Sequence, residues 1–169
     1  CENSLPGTPP SDWRVDGSGD PALQGFATSS TAKAGDSVGF KVSATGSAFH
    51  VDILRLGYYQ GDGARKVATL SGPFARNTQP ACQTTSSTGL VDCGNWSTSA
   101  SWTVPSTAVS GVYVAHLVRN DNGDGSLVPF VVRDETSRSD IVVQTSDSTW
   151  QAYNEYGGNS LYRCTVACP

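Results

Sequence analysis

The side chains that could carry chemistry in this 169-residue chain are few: two histidines, five cysteines and a small set of clustered aspartates. His50 and His116 each fall inside a stretch that alternates like a β-strand, and no nucleophile elbow of Gly-x-Ser-x-Gly form is expected, so Ser-His-Asp catalysis is not expected from this chain. The segment Asp121-Asn122-Gly123-Asp124-Gly125 has the oxygen-rich look of a calcium loop, with Asp121 and Asp124 as the candidate ligands. The bidentate glutamate of an EF-hand is missing, because the chain enters SLVPFVV instead. A hairpin turn explains the same residues without metal, since Asn-Gly and Asp-Gly readily take positive φ. Exposed aromatic rings are the usual platform for sugars, which makes Tyr58, Tyr59 and Trp96 the candidates for polysaccharide binding; Asn95-Trp96-Ser97 also spells an N-glycosylation sequon.

The cysteines sit at 1, 82, 93, 164 and 168, without the spacing of a zinc site. Disulfides Cys82–Cys93 and Cys164–Cys168 are expected, the first closing the polar loop QTTSSTGLVD and the second a TVA turn. Cys1 is left over. It is read either as a lipid-tethering cysteine of lipoprotein type, or as the place where the chain starts or a partner for another bridge. Disulfides place the chain in an oxidising compartment, secreted or extracellular. Methionine is absent even at position 1, which is read as a sign of processing.

The elements that must hold these residues are strands. The chain is 37% hydrophobic and only 15% charged, with 18 Gly and 9 Pro, a composition that suits short strands joined by many turns. Residues 1–23 hold four prolines and three glycines and read as an extended leader anchored by Trp13. From 24 to 135 the strand signals recur about every ten residues: GFATSS, SVGFKVSA, AFHVDILRLGYY, a short strand over 66–70, SASWTVP, GVYVAHLVRN and SLVPFVVR. In AFHVDILRLGYY, Phe49, Val51, Ile53 and either Leu54 or Leu56 are expected to share core contacts, with His50, Asp52 and Arg55 largely on the other face. GVYVAHLVRN reads as a central strand, and Pro129 places its own strand at an edge or a bulge. Residues 136–169 read as a terminal strand and tail, the start of a truncated second domain. The expected fold is all-β, an immunoglobulin-like antiparallel sandwich of about eight strands.

A net charge of -4 with no basic run longer than Arg65-Lys66 argues against a nucleic-acid partner, and no apolar run approaches the length of a membrane helix.

Three stretches carry a resemblance: ENSLPGTPPSDW, VDILRLGYYQGDGARKVA and QTSDSTWQAYNEYGG. Together they resemble secreted actinobacterial proteins related to the large (beta) subunit of N,N-dimethylformamidase. The resemblance implies a longer parent in which a β-sandwich precedes an α/β catalytic portion, so that this chain corresponds to the N-terminal sandwich. It also implies an iron-dependent amidohydrolase whose metal is held by tyrosine and glutamate. Tyr153 is the residue nominated by likeness as an iron ligand, with Tyr156 or Tyr162 as alternatives. The function expected is that of a noncatalytic module supporting or targeting a larger secreted protein, with no cofactor of its own. The alternatives are the N-terminal fragment of the amidohydrolase-like enzyme, a carbohydrate-binding module, or a module that self-associates through its terminal strand.

Overall fold

The computed structural model describes residues 2–165. In chain order the strands are β1 (Leu23–Ala27), β2 (Thr31–Lys33), β3 (Ser37–Ala44), β4 (Phe49–Leu56), β5 (Ala64–Thr69), β6 (Gln83–Thr85), β7 (Leu90–Asp92), β8 (Ala100–Thr103), β9 (Gly111–Arg119) and β10 (Gly125–Arg133); one short helix, α1 (Asp147–Tyr153), follows. The chain divides into two compact units, the first built from residues up to Gln79 with Ser97–Thr136, the second from Pro80–Trp96 with residues from Ser137 onward.

The first unit is an all-β sandwich. One sheet has the order β1-β3-β8 and the other β2-β10-β9-β4-β5. Strict alternation in β3 sends Val38, Phe40, Val42 and Ala44 inward, each fully buried, to meet Phe49, Val51 and Ile53 of β4 and Tyr113, Ala115 and Leu117 of β9 in one continuous core. Phe40, Trp102, Tyr113 and Phe130 form an aromatic cluster in which every ring-to-ring distance recorded lies between 5.7 and 5.8 Å. Each such ring contributes roughly 1.5–3 kcal/mol by leaving water. The Tyr113 hydroxyl, buried with its ring, donates to the Val109 carbonyl at 2.6 Å, and burial pushes its pKa up to about 12.

All but one of the ladders are antiparallel. β2 runs parallel to β10, pairing Thr31–Lys33 with Val131–Arg133. β9 is central, between β10 and β4. Pro129 pairs with Val114 of β9, while β2 reaches only as far as Val131, so the open side of β10 at Pro129 needs no donor. The leader lies on the outer face of the larger sheet, where Trp13 packs with Leu54, Ala64 and Val114.

The structure departs from the sequence reading in three places. Ten strands form rather than about eight, because the three-residue β2 and the polar hairpin β6–β7 carry too little alternation to be seen. The apolar run Ile141–Val143, read as a terminal strand, is irregular, and the next element is α1. A β-branched run becomes a strand only where a ladder partner takes its backbone groups, and none does so here among the described residues. α1 therefore places Tyr153 at the end of a helix, not of a strand.

Candidate functional site

On the outer face of the larger sheet, β4, β5 and β9 bring together His50, Asp52, Lys66, Thr69 and His116. Asp52 and His116 are directly opposite one another in the ladder. The Asp52 carboxylate is mostly buried; it accepts from Lys66 Nζ at 3.1 Å and from the Thr69 hydroxyl, and His50 Nε2 stands 4.0 Å away. His50 turns its Nδ1 to the Asn120 side-chain oxygen at 2.8 Å. His116 is 5% exposed, its Nδ1 has no hydrogen-bond partner, and burial holds its pKa below the usual histidine value. Asp52 is held by Lys66 and Thr69, and among the described residues no hydrogen bond orients the His116 Nδ1. Sequence reasoning placed His50 and Asp52 on this face but did not find His116 there; only the register of β9 against β4 reveals it.

The end of β4 and the loop after it carry the motif Arg55-Leu56-Gly57-Tyr58-Tyr59-Gln60-Gly61-Asp62-Gly63. Its backbone passes through positive φ at Tyr59 (40°) and Gln60 (59°). What holds it there is a polar knot. Arg55 donates to the Ser110 carbonyl at 2.8 Å and to the Tyr59 hydroxyl at 3.0 Å, and that hydroxyl donates to Glu2 at 2.9 Å. Glu2 also receives Arg65 at 3.2 Å. Tyr59 is consequently fully buried and presents no face to a sugar, which corrects its nomination as a stacking platform. Trp96 is likewise buried, 6% exposed, with its indole N–H on the Pro80 carbonyl at 2.9 Å. Of the three nominated rings only Tyr58 is open, at 69% exposure.

The Asp121–Asp124 turn is a hairpin tip, closed by the Arg119 N–H on the Asp124 carbonyl at 2.9 Å, with Gly123 at positive φ. Asp121 receives Arg119 and the Ser47 hydroxyl, which hold its pKa below the usual carboxylate range, and Asp124 receives the Asn122 amide at 2.6 Å. Both carboxylates nominated for calcium are thus already bound to donors of the protein. Gly35-Asp36-Ser37-Val38-Gly39 does spell Gly-x-Ser-x-Gly, which the sequence reading overlooked. Ser37, however, opens strand β3 after a turn, so the strand-to-helix geometry of a nucleophile elbow is absent at this position.

In the second unit Cys82 and Cys93 form a disulfide across the base of the β6–β7 hairpin, as expected. The segment after α1 packs on that hairpin: Asn159 donates to the Gly89 carbonyl at 2.7 Å, and the Tyr156 ring meets Trp96 edge-on at 6.0 Å. Cys164 is disulfide-bonded, while its expected partner Cys168 lies outside the described residues, as does Cys1. Tyr153 is 65% exposed and its ring stacks on Tyr162 at 4.7 Å. Tyr156 is turned toward Trp96, and burial raises its pKa. Glu155, the glutamate beside them in sequence, pairs with Arg163 at 3.5 Å. Among the described residues, Tyr153, Tyr156 and Glu155 are each engaged by another side chain, Tyr162, Trp96 and Arg163 respectively.

The outer surface of this second unit is unusual in another respect. Eight of the thirteen exposed large apolar side chains of the described residues lie between Ile141 and Tyr162. No helix of the described residues is long and apolar enough to cross a membrane. A family model described as N,N-dimethylformamidase beta subunit-like, C-terminal, matches residues 50–167. That description names the C-terminal part of the subunit, where the sequence resemblance had named the N-terminal sandwich portion. No curated protein matches the chain.

Proposed function

The chain belongs to the N,N-dimethylformamidase beta subunit-like family, and from that premise we propose that it is a noncatalytic, extracellular, immunoglobulin-like module that supports a larger protein of amidohydrolase type. The observation that carries this reading is the apolar surface of the tail. Monomeric domains rarely expose contiguous apolar side chains unless something covers them, and Trp150, Leu161 and Tyr162 are 46, 82 and 71% exposed. The immunoglobulin-like assignment is supported by the parallel β2–β10 pairing at the sheet margin and by the Tyr113 hydroxyl turned back onto Val109, the tyrosine-corner arrangement of such sandwiches. The Cys82–Cys93 disulfide favours an oxidising compartment.

On this reading the amidohydrolase chemistry lies in residues other than these. In the sandwich, Arg55, Glu2 and Arg65 hold the motif loop and Arg119 holds the hairpin tip, while the tail exposes the aromatic and aliphatic side chains offered to a partner. The test is co-purification with the rest of a family subunit produced as a separate chain. A stable complex is expected, lost on Trp150→Lys with Leu161→Lys. Absence of a complex with the unmodified chain would overturn the proposal.

A further inference from the structure

At one side of the sandwich the two sheets stand open. A groove of about 510 Å³ runs between the end of β5 and the edge strand β8, with Leu70, Phe74, Ala100 and Trp102 as its apolar lining. β8 pairs with β3 along one side only. The usual protections of an edge are absent from it: Ala100-Ser101-Trp102-Thr103 has no charge and no proline. β5, across the groove, carries Arg65 and Lys66, and Thr8 of the leader bonds its backbone at Ala64 and Lys66. The unguarded edge is therefore β8.

The same chain carries a segment of matching chemistry. Ile141, Val142 and Val143 are 78, 90 and 80% exposed, and among the described residues they make no backbone hydrogen bond. Three consecutive β-branched residues are strand formers lacking only a ladder. With Gln144 they equal the four residues of β8, about 13 Å of strand.

We infer that the Ile141–Gln144 segment of one copy adds as a strand to β8 of a second copy, with alternate side chains Ile141 and Val143 entering the groove and Val142 facing outward. Every copy carries one donor and one acceptor, so a reciprocal exchange between two copies satisfies both and closes on itself. This is what favours a second copy over a foreign strand as the occupant. The inference uses a different stretch from the aromatic surface assigned above to a larger partner, so either can fail without the other.

Sedimentation of the full chain from about 1 μM to several hundred μM tests it, since a subunit equilibrium shifts with protomer concentration. The expected result is a twofold rise in mass that is lost in Ser101→Lys and in the double variant Ile141→Lys with Val143→Lys, but kept in Val142→Lys. All four side chains are exposed, so each variant retains its fold. Mixing the groove-blocked and tail-blocked variants should restore a one-to-one heterodimer, because one donor and one acceptor survive. A strict monomer over the whole range, a dimer that either blocked variant leaves intact, or equal loss in Val142→Lys would each overturn the inference.

Discussion

His116 is a buried histidine whose Nδ1 finds no partner, set opposite Asp52 with Lys66 and His50 nearby. Burial lowers its pKa more than Asp52 raises it, and the neighbouring His50 and Lys66 lower it further. The sign of the linkage follows. Above the ordinary histidine value near 6.5 the ring is neutral in both states; as pH falls below it, the unfolded chain takes up a proton that the folded chain refuses, and stability declines. The slope is bounded at about 1.4 kcal/mol per pH unit for one proton. His116→Leu removes both the titration and an unsatisfied buried group, so its urea midpoint should match or exceed that of the parent at pH 7 and should fall less between pH 7 and 5. A variant with an undiminished pH slope would place the acid sensitivity elsewhere.

Among the elements, the β6–β7 hairpin shows how much a local crosslink does. Its six strand residues are mostly exposed, and no hydrophobic face holds the two strands together. Closing an 11-residue separation removes roughly 3 kcal/mol of chain entropy from the unfolded state. Cys82→Ser with Cys93→Ser should therefore loosen the hairpin and the segment packed on it through Asn159, seen as faster amide exchange over 83–92 and 156–161, while β3, β4 and β9 keep their protection. Loss of protection throughout the sandwich would contradict the division into two units. Legibility followed the same physics. β3 and β4 were readable because burial on one face writes a period of two into Val38, Phe40, Val42 and Phe49, Val51, Ile53. β2 was not, because three residues paired in parallel with a strand a hundred positions away leave no local signature. Ile141–Val143 misled because propensity speaks only of backbone preference, and a ladder partner is a tertiary fact. The burial of Tyr59 was equally hidden, since it depends on Glu2 and Arg55 meeting over a loop with positive φ.

At the scale of the whole molecule, polar and apolar surfaces are divided between the units. The sandwich spends its charges on itself: Arg119 bridges Asp20 and Asp121, Lys66 holds Asp52, and Arg65 holds Glu2. The tail instead leaves aromatic and aliphatic side chains in solvent. Such a distribution suits a part that is covered within an assembly. The chain belongs to the N,N-dimethylformamidase beta subunit-like family, and the candidate iron ligand Tyr153 packs its ring against Tyr162 while Glu155 pairs with Arg163. The most direct measurement is release of dimethylamine from N,N-dimethylformamide by purified residues 1–169 supplied with iron. The proposed function predicts no release above the iron blank; turnover that disappears in Tyr153→Phe would contradict it.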